Sequence, residues 1–319
     1  MENTEKTTEK ELDAAFAELE AYRKNKFGAF MAMVIIGIVL VAGAIIFQIV
    51  GAMTDNSSFT LLGFGFLFLC IIFFIIAGMI NAKYKKEVRI KIGQAVMDKA
   101  FPGYYADYNM MLTLETVMKP GFFAKPDRYN GSDFVQGKYK GIPFKKAVYD
   151  LQRRETHTDS KGNTVVTYET YAKGTMFNFK MGRNFHQTVK IMEKTGVLSF
   201  GLKGPKGDLS AVETEYIQFN KKFKILTSDE TSVFYLLTPQ VQEKILELEK
   251  SYKGTFYVAY MDDELFVAVN DSGSSANISF FKPVNAENVK NVIAYYGAPA
   301  LFAEKFELTS DKFKSQTAK

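Results

Sequence analysis

Cysteine, histidine and tryptophan are almost missing from this chain of 319 residues, which has one Cys, two His and no Trp. The single thiol, Cys70, cannot close an internal disulfide, so a disulfide-stapled secreted scaffold is excluded. His157 and His186 leave little from which to build a histidine-based metal centre. Charge is missing too, but only locally. No Asp, Glu, Lys or Arg occurs from Phe27 to Met53 or from Phe59 to Ile80.

Those two runs dominate the reading. At about 1.5 Å per residue they would reach roughly 40 and 33 Å as helices, enough for a hydrocarbon core of about 30 Å. Helices of a soluble core rarely dispense with charge for so long. A cleaved signal peptide would carry a shorter apolar stretch behind a basic leader, whereas residues 1–20 are mostly acidic. The polar spacer "TDNSS" (Thr54–Ser58) predicts that the two spans form a hairpin. Basic residues flank only its open end: Arg23, Lys24 and Lys26 before it, and Lys83, Lys85, Lys86, Arg89 and Lys91 after it. The positive-inside rule then places the chain in the cell (inner) membrane as a multi-pass protein with both termini cytoplasmic. The same eight residues are the expected membrane-surface contacts, meeting anionic headgroups at about 1 kcal/mol each. Gly28, Ala32, Gly37, Gly43 and Gly51 in the first span, with Gly63 and Gly65 in the second, would permit close helix contact. Gln48 is the polar member able to bond across to the other helix.

The segments beside the spans carry their own pattern. Leu12, Phe16, Leu19 and Tyr22 share one helical face, and Val88, Ile92 and Val96 recur every fourth residue until Pro102-Gly103. Run antiparallel, the two arms set Leu12 beside Val96, Phe16 beside Ile92 and Glu20 near Val88 and Arg89. The expected organisation is therefore an acidic-to-basic amphipathic helix (1–26), a transmembrane helical hairpin (27–80, with spans 27–53 and 59–80) and a basic juxtamembrane helix (81–101). The two arms either pair as a stalk through Leu12, Phe16, Leu19, Val88, Ile92 and Val96 or stand as two solvated juxtamembrane arms. A cytoplasmic α+β domain (104–307) and a polar, frayed tail (308–319) complete the chain. The fold class is thus membrane-anchored α+β, with a β-rich domain and C-terminal helices.

Within that domain, alternation predicts strands over Phe134–Tyr139 and Phe144–Leu151, punctuated by Gly137 and Gly141. "TVVTYETYAKGTMFNFKM" should supply two more, after a turn at Gly162-Asn163. "VETEYIQFNKKFKILT" reads as a strand pair or one long bent strand. Two helices follow, capped by Ser228 and by Thr238 with Pro239 behind it, the second facing Val241, Ile245 and Leu248 inward. "TFYVAYMDDELFVAVND" is a hairpin bending at Asp262-Asp263. Asn285 then caps a closing helix with Val289, Val292 and Ile293, ended by Gly297.

The phrases "GKYKGIPF" (Gly137–Phe144), "VETEYIQFNKKFKILTSDE" (Val212–Glu230), "YLLTPQVQEKILELE" (Tyr235–Glu249) and this hairpin resemble a bacterial family of membrane proteins, domain of unknown function 3137. The likeness runs from about residue 10 to 296. It implies a two-span anchor with a large cytoplasmic domain and a LemA-type membrane protein as companion. It implies no activity and transfers no catalytic residue.

Chemistry is sparse. His157 with Asp159 could ligate a metal in "THTDSKGN", although two loop ligands are more simply solvated. His186 has no partner nearby in sequence. Asp262, Asp263 and Glu264 could hold a divalent cation, yet acidic residues also suit a hairpin bend. Gly201, Gly204 and Gly207 in "GLKGPKGD" lack the spacing of a phosphate-binding loop. No aromatic-interleaved basic patch points to nucleic acid. No catalytic set, metal or cofactor is expected. The reading is a membrane-anchored cytoplasmic interaction or regulatory module, with homo-oligomers compatible. The alternatives are a membrane-tethered hydrolase or lipid-modifying enzyme, or an accessory subunit of a transport or secretion complex.

Overall fold

The computed structural model describes residues 2–158, 160–194, 209–271 and 279–314, with side chains described from Asp13 onward. The chain divides into two compact units, one of residues 1–100 with 276–294 and one of residues 101–275 with 295–319.

The first unit is built on two long helices, α1 (Glu2–Thr54) and α2 (Ser57–Ala100). No proline interrupts either, so charged and uncharged stretches run as single helices of 53 and 44 residues. The expected five-residue spacer shrinks to Asp55 and Asn56. Asp55 turns the chain at φ +51°, and the Asn56 side chain accepts a 2.9 Å bond from the Ser58 N–H, capping α2. The helices meet along a seven-residue recurrence of small residues: Gly37, Ala44 and Gly51 are buried on α1, and Gly63, Cys70 and Ala77 on α2. A Cβ on Gly63 would lie 3.2 Å from the Ala44 carbonyl oxygen, whereas one on Gly28 or Gly65 would meet nothing. Gln48 donates across the pair to the Thr60 carbonyl at 3.4 Å. Facing outward, Val39, Ile46, Leu61 and Phe68 are each more than half exposed. Both helices are long and apolar enough to cross a membrane, and only 11% of their most apolar stretches is buried.

Among the described residues, the second unit holds an antiparallel sheet of nine strands in the order β1-β2-β3-β4-β9-β8-β5-β7-β6. In chain order these are β1 (Tyr105–Asp107), α3 (Leu114–Met118), β2 (Arg128–Tyr139), β3 (Ile142–Thr158), β4 (Thr164–Lys180) and β5 (Thr188–Glu193). There follow β6 (Ser210–Val212), α4 (Ile217–Lys222), β7 (Phe223–Thr227), α5 (Glu230–Leu236), α6 (Pro239–Ser251), β8 (Thr255–Met261) and β9 (Glu264–Asn270). α7 (Ala286–Lys305) starts in the first unit and ends in the second. Both sheet faces are covered. Leu112, Val117, Phe122 and Phe123 pack with Tyr149, Tyr257 and Phe266 on one side. Phe302 of α7 stacks on Phe177 at 4.4 Å on the other. That double burial is why β8 and β9 are apolar at nearly every position rather than alternately.

Several local expectations change. "TVVTYETYAKGTMFNFKM" is one strand, β4, because Gly174 marks a close approach and not a break. A Cβ there would fall 1.9 Å from the Val269 carbonyl oxygen of β9. The stretch expected as strands at 212–227 holds a short helix, α4, that brings Phe219 and Phe223 together at 4.9 Å while the Asn220 amide latches the Thr214 backbone. Asp229, not Ser228, caps α5, since the Ser228 hydroxyl accepts from the Thr188 N–H and donates to the Gln187 side-chain Oε1. Thr238 and Pro239 begin α6, and Asn285 accepts from the Asn288 N–H before α7. α7 continues past Gly297 and Pro299 to Lys305. Of the tail expected to fray, residues 308–314 are described, and Leu308 and Phe313 among them are fully buried. The glycine-rich stretch 201–207 lies outside the described residues.

Candidate functional site

Four places gather polar groups. The first is the base of the helix pair. Tyr22 donates to Glu87, and Lys91 lies over the Tyr22 ring at 4.6 Å. Phe16, Leu19, Val88, Ile92 and Val96 are buried, while the Leu12 side chain lies outside the described residues. Glu20 turns to Arg23 and not to Arg89. It accepts from the Arg23 guanidinium at 2.8 and 2.7 Å and from the Val284 N–H at 2.7 Å. The guanidinium bond, with help from that amide, holds the Glu20 carboxyl down to about 2. Arg23, expected at the membrane surface, therefore faces inward with 11% of its side chain exposed. Lys24, Lys83, Lys85, Lys86 and Lys91 are exposed; Lys26 and Arg89 are half-buried.

The second is a cleft of about 730 Å³ at one end of β1 to β4. Its polar lining includes Lys138, Lys145, Lys180, Asn178, Gln136 and Glu264. Glu264 accepts from Lys119 and from Asn178, and Lys180 pairs with Asp263 at 2.5 Å. Lysines thus engage the Asp263 and Glu264 carboxylates at the hairpin tip, while the main-chain carbonyls of Asp262 and Asp263 accept the Phe185 and Met181 N–H groups. The lining is cationic and suits an anionic group; it contains no Ser, Cys, His or Asp.

The third is a projecting ribbon. Beyond Leu151, where the β3–β4 register shifts by a bulge, residues 153–158 of β3 pair only with β4. Val165, Val166 and Tyr168 stand at least 40% exposed there. Asp159, the expected partner of His157, lies outside the described residues. His157 instead faces Glu155 at 3.6 Å, with Glu169 close by. These three ligand atoms lie within 4.8 Å of one another on an open, solvated surface. His186 lies apart, in the link before β5.

The fourth is internal. Lys146 on β3 is fully buried and donates to the Tyr295 carbonyl at 2.5 Å, while the Tyr295 hydroxyl donates to the buried Asp133 at 3.2 Å. Pro299 explains the arrangement. It has no N–H to give the carbonyl four residues back, and the ammonium fills that place. Lys190 is pushed down, and Tyr149 and Tyr260 well up, by burial. These are core positions, and their shifts reflect desolvation. No pattern in one dimension links Lys146, Asp133 and Pro299; the proline inside an otherwise helical stretch was the available signal.

Residues 170–306 match the family model described as "Protein of unknown function (DUF3137)". The match is narrower than the likeness read from residue 10 to 296, and it leaves out both apolar helices. A search of curated proteins finds no match to this chain. Among solved structures, the crystal structure of the mycobacterial trehalose monomycolate transport factor A, TtfA, aligns with a TM-score of 0.36 and 8% identity, over 68% of this chain and 93% of that one. A likeness at that level carries no argument about fold or function here.

Proposed function

With residues 170–306 carrying a DUF3137 domain, we propose that this protein is a membrane-anchored interaction or regulatory module. The anchor is the α1–α2 pair, inserted in the inner membrane with both termini and the β-rich unit in the cytoplasm. One observation carries it: the flanks of both helices expose Ile, Leu, Val, Phe and Met from Ile35 to Met53 and from Leu61 to Met79. In water each such side chain would forgo about 1.5–3 kcal/mol of burial, whereas lipid accepts them at no cost. The exposed lysines at the open end set the orientation and meet anionic headgroups. The buried faces of the juxtamembrane arms, Phe16 with Leu19 and Val88 with Ile92 and Val96, pair as a stalk.

The interaction role rests on the ribbon. A two-stranded ribbon with exposed Val165, Val166 and Tyr168 is marginal alone and gains by lying on another surface. A membrane protein, of LemA type on the strength of the family resemblance, is the partner class we favour over a hydrolase or lipid-modifying activity. The full-length protein should sediment with membranes after lysis and co-purify in mild detergent with a stoichiometric membrane partner. Tyr168→Asp should leave the fold intact and lose that partner. Recovery of the protein in the aqueous fraction would refute the anchor, and a partner indifferent to Tyr168→Asp would refute the ribbon's role.

A further inference from the structure

The segment after β9 returns to the helix pair and is fastened there by five aromatic contacts and two charged groups. Phe280 is 1% exposed and packs on Phe27 at 5.5 Å, Phe30 at 5.3 Å and Tyr84 at 4.1 Å between ring centroids. Its carbonyl accepts from Arg23 at 3.1 Å, and the Val284 N–H donates to Glu20. The neighbouring Phe281 is held as firmly but buries little. It lies edge-on to Phe27 at 5.7 Å and Phe30 at 6.0 Å, yet it stays 65% exposed. A side chain so placed is not loose surface, since the backbone on both sides of it is pinned.

Its level along α1 is decisive. Phe27 opens the uncharged stretch, with Lys26 just before it, and Phe281 with Lys282 sits against that boundary. On segments that lie along a membrane, Phe and Leu press into the boundary between headgroups and acyl chains while Lys and Arg stay on the polar side. The outward faces of α1 and α2 beyond this point are apolar and exposed, so a surface continuous with Phe281 is already of the kind that lipid covers.

We propose that Phe281 is an interfacial lipid contact, a second point of membrane attachment supplied by the C-terminal part of the chain and locked to the anchor through Phe280, Arg23 and Glu20. This rests on the membrane-anchor reading above. The chain contains no tryptophan, so a single introduced one reports without background. Phe281→Trp and Phe68→Trp, each in the full-length protein, would be reconstituted into vesicles of phosphatidylcholine and phosphatidylglycerol with or without brominated acyl chains. Phe68 lies in the second apolar run and is 66% exposed, so it reads the anchor itself. We expect Phe281→Trp to emit to the blue of its spectrum in water and to be quenched by lipids brominated near the headgroup but not by those brominated near the chain ends. Quenching of Phe68→Trp without quenching of Phe281→Trp would overturn the interfacial contact and leave the anchor standing. Absence of quenching in both would overturn the anchor, and this proposal with it.

Discussion

Lys146 and Pro299 offer the sharpest test of how the β-rich unit is held together. Lys146→Met keeps most of the side-chain volume and removes the ammonium that donates to the Tyr295 carbonyl. A buried acceptor left without its donor costs about 1–3 kcal/mol, and the lost cation–π contact with Tyr295 adds about 0.5–2 kcal/mol. Relief from burying a charge offsets part of this, because exchanging an ion for a well-packed apolar group can be neutral. Met cannot satisfy the carbonyl, however, so a net loss of about 2–3 kcal/mol is expected. Pro299→Ala then supplies the missing N–H from within α7. In the native background that carbonyl already has a donor, and the new bond adds little. In the Lys146→Met background it restores a buried acceptor.

The two changes should therefore couple by about 1–2 kcal/mol in the direction of rescue, beyond whatever helix propensity Ala adds in both backgrounds. Pulse proteolysis of the detergent-solubilised protein in urea reads this as a midpoint. With a slope of about 2–3 kcal/mol per molar for a unit of this size, Lys146→Met should fall by roughly 1 M and the double variant should recover much of it. Equal effects of Pro299→Ala in the two backgrounds, within about 0.5 kcal/mol, would refute the claim that the ammonium replaces the proline's absent N–H.

The remaining expectations concern the helix pair. Glu20 has its carboxyl depressed in the folded state, from 4.5 to about 2, so the stability it confers is complete above about 4.5 and is lost as pH falls toward 2. Hydrogen-exchange protection of the Val284 amide should weaken on acidification through that window, by at most about 2–3 kcal/mol, and Glu20→Gln should be weak at all pH and flat across the window. Gly63→Leu would drive a side chain into the Ala44 carbonyl and Gln48, costing about 1–3 kcal/mol, whereas Gly65→Leu meets open space. A lowered melting temperature in detergent for the first and none for the second is the expected pair of results.

The features that could be read in one dimension were those with a repeating or uninterrupted signal. Two charge-free runs announce themselves, as do Thr238-Pro239 before the periodic face of α6 and the alternation around Asp262-Asp263. The rest depended on contacts between distant residues. Gly174 looks like a strand break until β9 is laid against it. Gly297 and Pro299 look like a helix end until Lys146 meets the freed carbonyl. The Phe280 clamp was invisible because Arg23 and the carbonyl it seeks are 257 positions apart. The helix seam has a legible sign of its own: Gly37, Ala44 and Gly51 recur every seven residues, as do Gly63, Cys70 and Ala77.

The limits of the family match differ from those of the folded unit, and the difference is testable. The matched segment opens at Thr170, inside β4, and stops at Phe306. A fragment 170–306 would keep most of β4 together with β5, β6, β7, β8 and β9 but lose β3, against which that part of β4 pairs from Phe144 to Gln152. Phe144, Val148, Tyr149 and Leu151 leave with it, as do Lys146, Leu308 and Phe313, all buried. At about 1.5–3 kcal/mol for each large apolar side chain, those losses alone approach or exceed the roughly 5–15 kcal/mol by which a whole domain is stable. The freed edge of β4 would also offer unpaired backbone along its apolar half. The fragment 170–306 should be aggregated or lack a cooperative urea transition, while 101–319 should show one. A cooperative transition in the short fragment would mean that the sheet's first half is an accessory, and that the β3–β4 ladder contributes far less than its buried residues indicate.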